Sequence, residues 1–156
     1  MQEKMLAIKT AIVAGCTALG AVLGWKGIML VAWVAVMLLD YISGTCAACK
    51  AGEWCSAKAR TGLWHKAGMV LVVLVSGIAD IVLAVACENL HLGITYTGLL
   101  LPLVLAWYII TELGSILENA VKLGASVPDW LTKMLKVSLG AVDKLGNSQT
   151  DKQSEK

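Results

Sequence analysis

Hydrophobic side chains form three long and nearly uncharged runs along the chain. Because about 20 apolar residues in a helix cross roughly 30 Å of hydrocarbon, each run is long enough to span a bilayer. Charged residues are scarce in them, since Asp40 lies in the first run, Asp80 in the second, and Glu112 directly follows the third. The pattern predicts three transmembrane helices, which are Gly27 to Cys49, Ala67 to Cys87 and Leu92 to Thr111.

A fourth apolar segment, Met5 to Trp25, is less hydrophobic than the other three. Lys9 interrupts it, and it consists mainly of Ala, Gly, Thr and Val rather than Leu and Ile. Such a segment either spans the membrane or lies flat on its surface. We prefer the first alternative, a four-helix arrangement with both termini inside.

The polar pattern changes after Gly124, where the transmembrane region, residues 1–124, is predicted to end. Pro128 and Asp129 suit the first turn of a helix, and the residues that follow alternate between apolar side chains and lysines. We expect a short amphipathic helix within residues 125–145, either on the inner membrane face or as an ordinary solvated helix. Residues 146–156 are polar without apolar periodicity, which predicts a disordered tail.

The composition agrees with a membrane protein. Hydrophobic residues make up 58% of the 156 residues and charged residues 15%, whereas soluble domains average about 45–50% and about 25%. The formal net charge of +2 is small and dispersed, which argues against nucleic acid as a partner. The expected partner is the lipid bilayer.

Lysine and arginine in the connecting segments predict the orientation. Basic residues are frequent between Lys50 and Lys66 and in the C-terminal region, and they are absent from the segment Glu88 to His91. Because positively charged loops stay in the cytoplasm, we expect an inner-membrane, multi-pass protein with a cytoplasmic C-terminus.

Acidic and small polar residues on the spans are the candidates for function. A charge at the bilayer centre costs about 2.5–3.5 kcal/mol on insertion scales, so such residues face partners or water. One interpretation is that they line a water-filled path or a contact between copies, and the other is that they only fix the helices of one bundle. The pore or assembly candidates are Asp40, Ser43, Gly44, Ser76, Asp80, Glu112, Ser115, Glu118 and Asn119.

Small residues near the N-terminus favour close helix packing. Gly20 and Gly24 form a GxxxG pattern, and Gly15 continues a row of small residues. These three glycines are the helix-packing candidates, and they favour a homo-oligomer.

The sequence contains no motif that indicates catalytic chemistry. There is no G-x-S-x-G, HExxH, P-loop or dinucleotide fingerprint. A zinc set starting from Cys46 and Cys49 lacks a second paired spacing. We expect neither an enzyme nor a cofactor or metal.

Two stretches resemble the phage holin family that also includes toxin-secretion holins of clostridial type. The first is Asp40-Tyr41-Ile42-Ser43-Gly44-Thr45 with Gly52-Glu53 and Gly62-Leu63-Trp64-His65-Lys66. The second is Glu112-Leu113-Gly114-Ser115-Ile116-Leu117-Glu118-Asn119, followed by Gly124 and Pro128. They occur in the family's order, although the chain has no Phe and has Cys55-Ser56 where a Ser-Ser pair is frequent.

The resemblance implies a small protein of the bacterial inner membrane that assembles into timed lesions. The lesions would release an endolysin, causing host cell lysis, or a toxin. Two other functions stay open, a small ion channel or transporter and an accessory or antiholin-like membrane subunit without a pore.

Overall fold

Helices joined by short turns make up the fold of the residues that the structure describes. The structure is a computed structural model that describes residues 2–53, 55–91 and 95–154, with side chains for 24–53, 55–57, 59–91 and 95–148. Helix α1 extends over Gln2–Lys50, α2 over Ser56–Asn89, α3 over Leu100–Lys122 and α4 over Asp129–Ser154. No strand occurs within these ranges.

Three helical stretches are long and apolar enough to cross a membrane. They are Gly24–Lys50, Ala59–Asn89 and Leu100–Lys122. The predicted number of clear spans is therefore confirmed for the described part of the chain. Most side chains of the fourth predicted segment, Met5 to Trp25, lie outside the described residues, and its spanning stays a prediction.

Helix α1 is divided at Gly24, whose φ of 65° lies in the left-handed region. A residue with a Cβ adopts this conformation only at a cost, because its Cβ approaches the following carbonyl oxygen. Gly24 thus separates the N-terminal part of α1 from the span that follows. Nothing in the described part of the chain lies within 4 Å of the position that a Cβ would take. The role of Gly24 in helix packing stays a prediction.

Helix α3 is the central element of the bundle. Leu105, which is fully buried, packs with Trp33 of α1 and with Met69 and Val73 of α2. The rings of Trp33 and Tyr108 stack with centroids 6.4 Å apart. Helices α1 and α2 therefore both pack on α3, and large aliphatic side chains on the rest of α2 are exposed.

Two predicted boundaries are wrong. The third span begins at Leu100 and not at Leu92, and it continues to Lys122, so Glu112 lies near its middle rather than after its end. The predicted loop from Lys50 to Lys66 is mostly helix, because α2 already begins at Ser56. The early start of α2 and the late end of the third span arise because helices continue beyond the apolar stretch once tertiary packing supports them. The third span begins late because the left-handed Gly98, with a φ of 74°, lies within the apolar run just before α3.

The C-terminal helix is longer than the predicted segment 125–145. It begins at Asp129 after Pro128 and is helical to Ser154, through the residues for which the sequence predicts a disordered tail. The sequence contains no proline after Pro128 that would end the helix. Adding residues to an existing helix also costs far less free energy than starting a new one. Helix α4 packs against α3, and the indole Nε1 of Trp107 donates a hydrogen bond of 2.9 Å to Asp143.

Candidate functional site

Two carboxylates and one ammonium group meet where the three spans pack together. Lys66 Nζ of α2 lies 3.0 Å from Asp40 Oδ2 of α1 and 2.6 Å from Glu112 Oε2 of α3. The three side chains are 13%, 19% and 6% exposed, respectively. We refer to Asp40, Lys66 and Glu112 as the charge cluster.

An amide and a hydroxyl group extend the charge cluster. Asn119 Nδ2 donates hydrogen bonds to Asp40 Oδ1 at 3.2 Å and to Ser43 Oγ at 3.1 Å. Gly44 lies next to this contact, and a Cβ added there would lie 3.5 Å from Asn119 Nδ2, an ordinary van der Waals distance. Asp40, Ser43 and Gly44 lie on one face of α1, and Glu112 and Asn119 lie two turns apart on the facing side of α3.

The charge cluster has an unequal balance of charge. With all three groups ionised, one positive charge faces two negative charges close to the midpoint of α3. Attraction between opposite charges offsets the free energy of removing them from water only when every charged group is paired. Like charges in a low dielectric repel each other strongly. The cluster therefore joins the three spans while leaving one carboxylate incompletely balanced.

A cavity of about 250 Å³ borders the charge cluster between α1 and α2. Its lining includes Asp40 and Lys66 at one end and Ala48 and Cys55, near the loop between the helices, at the other. The cavity lies between α1 and α2 on the side of the loop that joins them. The cluster thus has an open approach from one end of the bundle.

A second polar group lies at the opposite end of the three spans. Asp80 of α2 accepts hydrogen bonds from the backbone N–H groups of Leu100 and Leu101, at 2.9 and 3.0 Å, where α3 begins. Leu99, at the N-cap position of α3, cannot supply a capping side chain. Asp80 therefore caps α3 from a neighbouring helix. The positive end of the helix dipole of α3 also stabilises the negative charge of this carboxylate.

Tyr96 and Lys26 complete this cap. The Tyr96 hydroxyl donates to Asp80 Oδ1 at 2.6 Å, and Lys26 Nζ donates to the carbonyl oxygen of Thr97 at 2.8 Å. Burial, followed by the hydrogen bond to Asp80, raises the pKa of Tyr96 above its ordinary value. The phenol therefore stays protonated and keeps donating to the carboxylate.

The structure separates the predicted site residues into three groups. Five of them gather around Lys66, namely Asp40, Ser43, Gly44, Glu112 and Asn119. Ser76 and Asp80 are buried on α2 nearer its other end, and the hydroxyl of Ser76 bonds to the Val73 carbonyl of its own helix. Ser115 and Glu118 border the groove between α3 and α4. Gly15 and Gly20 lie outside the residues with described side chains.

Lys66 is the functional residue that sequence reasoning missed. As part of a basic connecting segment it predicts only the orientation, although it lies in the third turn of α2. Its position directly before the apolar run from Ala67 to Cys87, with no acidic residue near it on its own helix, is the available signal. Lys26 and Tyr96 carried no comparable signal, because their partners are distant in sequence.

Metal-binding and disulfide chemistry receive no support from the described residues. No group of three or more His, Cys, Asp or Glu side chains there could hold a metal ion. Cys46, Cys49, Cys55 and Cys87 are free thiols.

The geometry defines a multi-span helical membrane protein with ionisable groups between its spans. The family model described as "Bacteriophage holin family" matches residues 17–138. Because this match covers most of the chain, the protein belongs to the bacteriophage holin family, whose members are in general not enzymes.

Curated relatives cover nearly the same length. An uncharacterized 14.9 kDa protein named for the nagH 3′ region of Clostridium perfringens is 33% identical over 83% of this chain and 90% of its own length. An uncharacterized protein of Clostridium perfringens strain 13 is 29% identical over 87% and 93%, and one from Halalkalibacterium halodurans is 28% identical over 88% and 96%. No solved structure gives a significant match.

Proposed function

We propose that this protein is a lesion-forming holin of the bacterial inner membrane. Copies accumulate without harm, assemble at a set time, and open lesions that release an endolysin to the cell wall or let a toxin leave the cell. The observation that carries the proposal is the charge cluster, in which Asp40, Lys66 and Glu112 bring three spans together at membrane depth.

The charge cluster gives a physical reason for a closed state that can open. Inside one bundle, Lys66 is shared by two carboxylates, so the packing is stable but one negative charge is poorly balanced. When copies assemble and water enters between the spans, the poorly balanced carboxylate becomes hydrated, which removes that cost. The same three side chains therefore favour a closed bundle in single copies and a hydrated space between the spans in assemblies.

The large aliphatic surface of α2 suits the proposed partners, which are the bilayer and further copies of this chain. Leu71, Val75, Ile78 and Val82 are each at least 45% exposed over the middle of this helix. A soluble monomer rarely exposes such a continuous apolar surface. Lipid or another copy of the chain covers it in the proposed membrane state.

Before lesions form, we place the C-terminus in the cytoplasm and the end of the bundle with Asp80 and Tyr96 outside. The basic residues around the loop between α1 and α2 support this orientation through the positive-inside rule. If the N-terminal segment spans, the N-terminus is also cytoplasmic.

Inducible expression in a bacterium tests the proposed function. One culture expresses the chain alone and another adds a cytoplasmic endolysin without an export signal, while turbidity, viability and membrane insertion are followed. We expect abrupt death at a reproducible time in both cultures and lysis only with endolysin.

The other outcomes of this experiment distinguish between the two alternative functions. Selective conductance without killing would indicate a small channel or transporter. Continued growth with confirmed insertion and no conductance would indicate an accessory or antiholin-like subunit. Either result would overturn the holin proposal.

A further inference from the structure

Helix α4 folds back along α3 as an antiparallel hairpin. Near the turn, Val127 and Thr132 line the same groove as Val121 and Lys122 at the end of α3. Farther along, Asp143 accepts the hydrogen bond from the indole of Trp107. The contact between the two helices therefore extends from the C-terminal end of α3 to within about 10 Å of its first residue, at roughly 1.5 Å per residue.

This hairpin brings α4 to membrane depth. Helix α3 is one of the candidate spans, and Trp107 lies in its first half. Asp143 and Lys144 are thus level with the part of α3 on the far side of the bilayer midplane from the turn. A helix lying flat on the inner face cannot make the contact between Trp107 and Asp143.

Helix α4 has three distinct faces. The first, which lies towards α3, carries partly buried aliphatic residues, namely Leu131, Leu135, Leu139 and Val142. The second is an exposed apolar stripe of Trp130, Met134, Val137 and Leu145, with exposed fractions of 60%, 60%, 73% and 55%. The third is a charged arc of Lys133, Lys136 and Lys144, all exposed, in which Lys136 borders the groove towards α3.

These faces require different surroundings at the same depth. Each lysine of the charged arc would cost about 2.5–3.5 kcal/mol if it faced lipid at the bilayer centre. The apolar stripe, in contrast, is stabilised by lipid and not by water. A helix placed between lipid on one side and water on the other satisfies both faces.

We propose that α4, docked on α3, forms part of the water-facing wall of the membrane lesion. The charged arc lines the aqueous path, and the apolar stripe faces lipid. This inference rests on the proposed holin function. As copies assemble, water reaches the lysines of the docked α4.

Spin labels in reconstituted vesicles test this arrangement. The full chain, with its five cysteines replaced by serine, receives one new cysteine at a time at Trp130, Lys136 or Val137. Collisions with oxygen report exposure to lipid, and collisions with a water-soluble nickel chelate report exposure to water. Dye release from the same vesicles shows that lesions are present, and killing in cells is recorded for each variant.

In vesicles that release dye, we expect the label of Val137→Cys to lie about 10 Å deeper than that of Trp130→Cys, because seven residues rise about 1.5 Å each. The neighbouring Lys136→Cys label should collide with the nickel chelate, whereas the Val137→Cys label should collide mainly with oxygen. Lys136 and Val137 are matched in depth and differ only in face.

Equal, shallow depths for Trp130→Cys and Val137→Cys in dye-releasing vesicles would overturn the role of α4 and leave the holin function standing. A deep Lys136→Cys label shielded from the nickel chelate would also overturn it, because α4 would then be sealed from water. Absence of both dye release and killing by the unsubstituted chain would instead overturn the proposed function and, with it, this inference.

Discussion

Lys66 is the residue on which the packing of the three spans depends most directly. Its ammonium group is the shared partner of Asp40 and Glu112, and all three groups are largely removed from water. Removing one member of a buried ionic group leaves its partners uncompensated, which costs more than the pairing itself contributes.

Lys66→Met should therefore destabilise the protein by about 3–5 kcal/mol, the range found when one partner of a buried ion pair is removed. Thermal unfolding in detergent measures the change. Arg60→Met is the matched control, because Arg60 is exposed on the same helix, and it should change stability little. Adding Asp40→Asn and Glu112→Gln to Lys66→Met should restore part of the stability. No recovery in this triple variant would contradict the charge-based explanation.

Asp80 acts at the residue scale as a cap supplied by another helix. Asp80→Ala removes the acceptor for two backbone N–H groups and for Tyr96, and should cost about 0.5–2 kcal/mol, as other N-cap losses do. Asp80→Asn keeps one side-chain oxygen and should cost less. The comparison of their melting temperatures checks this order, and equal losses would argue against a capping role.

At the scale of elements, the connection between α2 and α3 fixes where α3 begins. Gly98 has a φ of 74°, and a Cβ added to it would lie 2.5 Å from Lys26 Nζ and 3.2 Å from Asp80 Oδ2. The turn therefore combines a left-handed backbone with close packing against the cap.

Gly98→Ala should destabilise the protein by about 1–2 kcal/mol from the backbone conformation alone, with a further loss from disturbing Lys26 and Asp80. Gly68→Ala is the control within helix α2, where nothing lies within 4 Å of the added Cβ. It should be neutral or stabilising by up to about 1 kcal/mol, since alanine is the better helix former. A melting temperature for Gly98→Ala equal to that of Gly68→Ala would show that the turn tolerates a side chain.

For the whole molecule, the proposed function gives the charge cluster a part in assembly as well as in the stability of one copy. Glu112→Gln leaves Lys66 paired with Asp40 and removes the second carboxylate, so less is gained when the cluster meets water. We expect normal insertion and a later onset of lysis in cells that also express endolysin. Glu88→Gln, at an exposed position near the end of α2, is the control. Unchanged timing at equal protein levels would argue against a role for the cluster in assembly.

The spans and their acidic residues were predictable because they depend on local properties. A run of about 20 apolar residues is sufficient to indicate a span whatever its neighbours are. The cost of a charge in lipid likewise singles out Asp40, Asp80 and Glu112 from the sequence alone. The ordered motifs from Asp40 to Pro128 also suffice to indicate the family, which the family match over residues 17–138 confirms.

Which of these acids act together depends on the tertiary structure. Asp40 and Glu112 meet through Lys66 on a third helix, whereas Asp80, which looks equivalent in sequence, caps α3 at the other end of the bundle. The same is true of α4, whose contact with Trp107 cannot be read from its own pattern. The physical reason is that apolar periodicity fixes which residues form a helix, while the relative positions of helices depend on contacts between residues far apart in sequence.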